Sequence, residues 1–315
     1  MSFKFFHMIF NLDLSKKASR KGIRRKLELL NLEERVVPAT FMVVNNSDSG
    51  AGSLRQAIDD ANTTAGDDTI DFNFASGTSP YTITLASALP SIVDANTAIT
   101  GGTAGTVTIT GLGASSLTID ANKGNFSIFS INTGGNLSIS GVTVSGANNS
   151  SGNGGAFFNS GVLAISNSNL SGNTASSGAG VWNAGTLTLS NSTLSGNTAA
   201  GLGFGSGLGG AIVNAYGGTL NIFNSTLSGN TAIFGGGILN GGTLTLTNST
   251  LSGNSASING GGILNNGTLN GGILTLTNST LFGNTAIQSG GGINNNGILN
   301  TFNSTLSGNS AGQGG

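Results

Sequence analysis

The sequence predicts an all-β chain, a parallel β-helix with three short strands per coil and a short capping helix near its N-terminus. Three observations carry that prediction. A phrase of about 24 residues recurs along the chain. Apolar and polar residues alternate inside each copy, and Asn-Ser-Thr and Ser-Gly-Asn mark the breaks between alternating runs.

The copy GTLTLTNSTLSGNSA spans residues 242 to 256, and others begin at Gly161, Gly185, Gly218, Gly272 and Gly297, with a looser one at Gly135. From Gly135 the starts are 26, 24, 33, 24, 30 and 25 residues apart. A basal period with extra residues in some copies is the mark of a stacked repeat, each unit one coil and each insert a loop. The inserts are GLGFGSGLG (201–209) and NGTLNGG (266–272).

Within a copy, Leu187, Leu189, Leu194 and Ala199, or Leu244, Leu246, Leu251 and Ala256, fall at the same offsets with polar residues between them. That period of two gives strands with one buried face. A further strand precedes each copy: GGAFFN (154–159), GAGVWN (178–183), GGAIVN (209–214), GGGILN (235–240 and 260–265) and GGGINN (290–295). Equivalent strands stacked at about 4.8 Å over roughly 7 to 9 coils make a rod of about 35 to 45 Å. In the copy at Gly297 the inward fourth slot holds Thr301, with Phe302 outward, and a weaker coil is expected there.

Two columns of asparagine recur at the bends: Asn167, Asn191, Asn224, Asn248, Asn278 and Asn303, then Asn173, Asn197, Asn230, Asn254, Asn284 and Asn309. Asparagine tolerates left-handed backbone, and its amide can bond to the amide one coil away. Both columns are expected to be buried ladders.

Residues 41–95 differ from the repeats and read as a capping segment: FMVVNN as a strand, SLRQAIDDAN as a helix, then DTIDFNF and YTITLASALPSIV as strands. Ser53 with Gln56 has the spacing of a capping box, and Leu54, Ala57, Ile58 and Ala61 form one apolar stripe. The repeats then occupy 96–315 and stop in GQGG, the opening of another strand. The expectation is a longer native chain or a last coil that pairs end to end with a second copy.

Residues 1–40 form a basic leader with nine of the eleven basic side chains, read as disordered or as a short helix. Its basic cluster follows FKFFHMIF instead of preceding it, the reverse of a secretory signal, and no apolar run follows Arg24-Arg25. An unusual export leader and a solvated basic arm both fit.

The stretches NSDSGAGSLRQAIDDAN, DDTIDF and TITLASALPSI, followed by LSGNTA and GGAIVN repeats, resemble large bacterial right-handed parallel β-helix repeat proteins, with a pectin-lyase-like solenoid. The pairing of LSGN with GGAI is similar to polymorphic outer-membrane protein repeats, although Leu227 and Leu251 stand where that family's FxxN motif has phenylalanine. LELLNLEERVVPATF (27–41) resembles the N-terminal leader of exported planctomycete proteins. The resemblance covers about residues 28–315 and implies an exported or surface-exposed, outer membrane-associated protein. Such relatives often carry an anchor or a membrane barrel.

Composition limits the chemistry. The chain has 315 residues, 54 glycines, no cysteine, 7% charged residues and a net charge of −1. At 37% hydrophobic it does not match a disordered chain. It contains no run of eighteen apolar residues, so no integral membrane segment is expected. From Gly124 to Gly315 there is no Asp, Glu, Lys, Arg or His, and Tyr216 is the sole titratable side chain of that span. Polysaccharide cleavage needs a base and commonly carboxylates, arginines or a metal, and serine or threonine needs an activating partner. No catalytic residue, cofactor or metal is therefore expected, and the rod has no basic patch for nucleic acid.

Other signals have plainer readings. Asp59, Asp60, Asp67, Asp68 and Asp71 lack calcium-loop spacing. His7 stands alone. The NST sequons fall on the bend column. The threonine pairs Thr186/Thr188 and Thr243/Thr245 are interrupted by Val162/Ala164, Thr219/Asn221, Ile273/Thr275 and Ile298/Asn300, which spoils an ice-binding rank. Trp182 is the possible glycan contact. The expected function is a non-enzymatic structural or adhesive role toward cell-surface or extracellular polymers. The alternative is a carbohydrate-binding module or a degenerate polysaccharide-lyase relative.

Overall fold

Thr186–Ser190 (TLTLS) shows how a coil is made: Leu187 and Leu189 are buried, and the hydroxyl side chains between them are partly exposed. In the computed structural model, which describes residues 38–74, 77–93, 105–202, 205–267 and 272–315, this alternation repeats coil after coil. The compact unit that starts at Val36 is an all-β parallel solenoid with one short helix. The leader, apart from residues 38–40, lies outside the described residues, as do parts of the inserts at 201–209 and 266–272.

The strands form four parallel sheets, here A to D, of ten, nine, seven and seven strands. One coil runs through Thr186–Ser190 in sheet A, Thr193–Ser195 in B, Thr198–Ala199 in D and Ile212–Asn214 in C. From Asn136 to Asn295 each coil thus has four strands where the sequence suggested three. The fourth is the short Thr-Ala segment, which pairs with Thr174–Ala175 above it. In other coils the sheet D strand is longer, as in Ser255–Asn259, but it buries a single alanine, so no alternation shows in the sequence. The ten rungs of sheet A span about 45 Å.

Register is strict where side chains point inward. Leu163, Leu187, Leu220, Leu244 and Leu274 stack in sheet A. Leu170, Leu194, Leu227, Leu251 and Leu281 stack in sheet B. All ten are buried. Near the N-terminal end larger rings fill the same space, Phe129 and Phe157 stacking at 5.0 Å. A one-residue slip would turn every leucine to solvent, so the pattern itself fixes the pairing. In the Gly297 copy Thr301 pairs with Leu276, and Phe302 is 57% exposed.

Glycine at the corner from sheet C to sheet A is required by close approach. A Cβ on Gly185 would lie 2.1 Å from the Gly161 carbonyl oxygen one coil above.

The capping segment is continuous with the stack. Thr40–Val43 and Asp68–Phe72 are the first two strands of sheet A, and Tyr81–Thr84 begins sheet B. The helix Leu54–Thr63 buries Leu54, Ala57, Ile58 and Ala61. Ser53 Oγ accepts from the Gln56 N–H at 3.3 Å. The reciprocal half of the capping box is not made: the Ser53 N–H donates to the Gly50 carbonyl at 3.2 Å, and Gln56 Nε2 donates to Asp60 at 2.7 Å. Among the described residues no helix is long and apolar enough to cross a membrane.

Candidate functional site

The two asparagine columns seen in the sequence occupy different environments. Asn173, Asn197, Asn230, Asn254 and Asn284 are fully buried at the corner from sheet B to sheet D. Asn309 below them is partly buried. From Asn197 on, each Oδ1 accepts twice from the coil above: Asn254 Oδ1 takes the Asn230 N–H at 3.0 Å and its Nδ2 at 2.9 Å. The second Nδ2 proton goes back to a backbone carbonyl in the coil above, as from Asn230 to Leu194 at 3.0 Å. One amide therefore ties three successive coils and leaves none of its polar atoms unpaired.

The other column is not buried, and the expectation of a buried ladder there is corrected. Asn167, Asn191, Asn224, Asn248, Asn278 and Asn303 are exposed, with φ between 47° and 51°. They are the left-handed residues that turn the chain from sheet A into sheet B. Among them Asn248 Nδ2 donates to Asn224 Oδ1 at 3.2 Å, in solvent. Because Asn turns outward, the serine after it turns inward: Ser168, Ser192, Ser225, Ser249 and Ser279 are buried. Each Oγ of this run accepts a backbone N–H from the coil above, as Ser225 does from Ser192 at 3.1 Å.

A third ladder went unread in the sequence. Asn159, Asn183, Asn214, Asn240 and Asn265 are fully buried at the end of sheet C. Their Nδ2 atoms donate downward to Oδ1, from Asn183 to Asn214 and from Asn214 to Asn240 at 2.8 Å. The signal was the asparagine that closes each GGAIVN-type phrase. These amides hold coils together and carry neither an acid nor a nucleophile.

Trp182 sits on the outer face of sheet C, between Phe158 and Val213. It packs against a small apolar cluster of Val213, Leu239 and Leu264, joined by Leu208 and Phe234 from the neighbouring sheet edge. Leu208 bridges to Phe234 where the 201–209 insert rejoins the coil. The indole is therefore part of a packed outer stripe.

Sheet B presents the most regular outer face. Thr193, Thr226 and Thr250 stack in one column and Ser195, Ser228 and Ser252 in the next. Phe282 interrupts the serine column one coil later and is 56% exposed. On sheet A the threonine ranks break as the sequence indicated, Thr188 pairing with Ala164 and Asn221.

The aspartates of the capping segment serve local bonds. Asp67 Oδ1 accepts the Thr106 N–H at 2.8 Å, and Asp68 Oδ1 accepts that of Ala39 at 2.8 Å. Asp68 is buried, which pushes its carboxyl above the usual range; the Ala39 N–H pulls it down and the Asp67 charge adds to the rise. Among the described residues no three His, Cys, Asp or Glu side chains gather in a metal-binding group. Arg55 pairs with Asp48 at 2.7 Å.

No protein-family model and no curated protein matches the chain, so the functional reading rests on its own geometry.

Proposed function

We propose that the protein is a non-enzymatic, exported or cell-surface solenoid with a structural or adhesive role. Its repeats are similar to those of polymorphic outer-membrane proteins, and its leader is like those of exported planctomycete proteins. The observation that supports this reading is the in-register Thr and Ser columns of sheet B on a rod without ionisable groups apart from Tyr216 after Lys123. Three successive coils, from Thr193 to Ser252, offer the same neutral hydroxyl pattern one rung further on. Contacts that are weak at one coil add along a stack through effective concentration. The partners on this reading are cell-surface or extracellular polymers.

Two measurements test it. Cell fractionation with intact-mass determination is expected to place the chain in the surface or extracellular fraction, and recovery in the cytosol alone would overturn export. Adhesion of the purified full chain to cell surfaces is expected to fall when Thr193, Thr226 and Thr250 are all changed to Glu. Unchanged adhesion would remove sheet B as the adhesive face.

A further inference from the structure

We propose that the turn Ala215–Gly218, with the glycine corner beside it, forms a binding site for one neutral sugar ring, and that Tyr216 is its stacking face. The site gives the adhesive reading a ligand of stated chemistry and so rests on that reading. In the coils directly above and below, the passage from sheet C to sheet A takes two residues, Ala184-Gly185 and Gly241-Gly242, but here it takes four. The longer turn reverses at Gly217, φ +80°, and places Tyr216 outside the coil at 70% exposure. Among the described residues no other aromatic side chain is so exposed.

The coil below has only Gly241 and Gly242 at this corner, and among the described residues no side chain fills the space beside the ring. A shallow pocket of about 190 Å³ results, lined by Tyr216, the glycine backbone, Thr243 and Ile273. Drug-sized ligands need about 300 to 1,000 Å³, so this space suits a single six-membered ring. Its lining is one aromatic face, one hydroxyl, one aliphatic side chain and peptide groups. A pyranose has the matching surfaces, a face of C–H bonds and a rim of hydroxyls. A charged ligand would lose hydration against a lining without charge, which selects for a neutral one.

The same geometry supplies the controls. A Cβ on Gly241 would meet the Tyr216 backbone N at 3.3 Å and the Asn214 carbonyl oxygen at 3.5 Å, a contact the coil can absorb. A Cβ on Gly242 would lie 2.1 Å from the Gly218 oxygen, so that position cannot be used. Gly241→Ala therefore fills the floor while leaving the stack standing, and Tyr216→Ala removes the wall.

The test is saturation-transfer NMR and titration of the full chain with cellohexaose, chitohexaose, xylohexaose and mannohexaose, with polygalacturonate as the charged comparison. At least one neutral oligosaccharide is expected to bind, with Kd on the order of 1 mM, as a single stacked ring allows. High salt is expected to leave that binding unchanged. Tyr216→Ala and Gly241→Ala should each weaken it by roughly tenfold or more, while Tyr216→Phe and Trp182→Ala retain it and circular dichroism confirms the β fold of every variant. Binding of polygalacturonate alone, binding of no neutral oligosaccharide, or binding that survives both Tyr216→Ala and Gly241→Ala would overturn the assignment. Cell adhesion that persists in Tyr216→Ala separates failure of this site from failure of the adhesive reading.

Discussion

Asn197 and Asn230 are joined twice: Asn230 Oδ1 accepts the backbone N–H and the Nδ2 of Asn197, each at 3.0 Å. Truncating Asn230 leaves both Asn197 donors without a partner in a dry interior and takes one hydrogen bond from the Leu194 carbonyl. At about 1 to 3 kcal/mol for each buried unpaired group, Asn230→Ala is expected to lose about 2 to 6 kcal/mol in urea unfolding. Asn230→Asp should fall further at neutral pH, because a carboxylate oxygen would face the Asn254 Oδ1 and the Leu194 carbonyl. That extra deficit should shrink in acid. An unchanged midpoint for Asn230→Ala would mean that the ladder does not hold the coils.

Exposed Asn224 calls for the opposite result. Its φ is +47° and its side chain is in solvent, so what matters is tolerance of left-handed backbone. Asn224→Gly is expected to be close to neutral, and Asn224→Val to lose about 1 to 2 kcal/mol. Gly229, at φ +61° with open space around its Cβ position, should accept Asn by the same reasoning. Melting temperatures of the three variants check the rule, and a large loss for Asn224→Gly would show that the exposed amide column carries stability.

The contrast between these columns shows where the sequence was readable. Asn230 and Asn224 recur with equal regularity, and periodicity alone cannot tell which faces inward. The decision lies one residue away: Gly229 takes the left-handed turn and sends Asn230 in, whereas Asn224 takes the turn itself and sends Ser225 in. Leucine columns such as Leu187, Leu220 and Leu244 were legible because alternation and burial coincide there. Asn214 closes the apolar strand GGAIVN, where one polar residue after an apolar run shows no alternation that would mark it as inward. Tyr216 was noticed as a titratable group, but its exposure depends on a turn whose length differs from its neighbours by two residues. Sheet D strands such as Thr198–Ala199 and Ser255–Asn259 bury a single alanine each and so show no period.

Trp182 is the sole tryptophan, so its fluorescence reports the outer stripe of sheet C. Packed against Val213 and its neighbours, the indole should emit to the blue of the urea-unfolded chain. Trp182→Ala should lose about 1 to 3 kcal/mol through lost apolar contact. Phe234→Ala, which strips part of the same cluster, should shift the native emission to the red. Native emission as red as that of the unfolded chain would place the indole in water and return Trp182 to the list of ligand contacts.

Asp68 gives the capping segment a pH dependence of unusual sign. It is 1% exposed, its Oδ1 holds the Ala39 N–H, and its Oδ2 is buried with no partner among the described residues. Burial raises the carboxyl above 3.8, with Asp67 adding to the rise against the pull of the Ala39 N–H. The folded chain therefore keeps this proton to higher pH than the unfolded chain does. Between the two values the folded state binds more protons, so the contribution of Asp68 is most favourable below the ordinary carboxylate value. It is lost as pH rises through the folded one. Asp68→Asn keeps an oxygen for Ala39 and removes the ionisation. The variant should melt with or below the wild type near about pH 3 and above it at about pH 7, where the wild-type carboxylate is charged and buried. The difference between the two curves isolates Asp68 from the other carboxylates of the chain. A difference that does not change with pH, or one that favours the wild type at neutral pH, would show that the native site stabilises the ionised carboxylate.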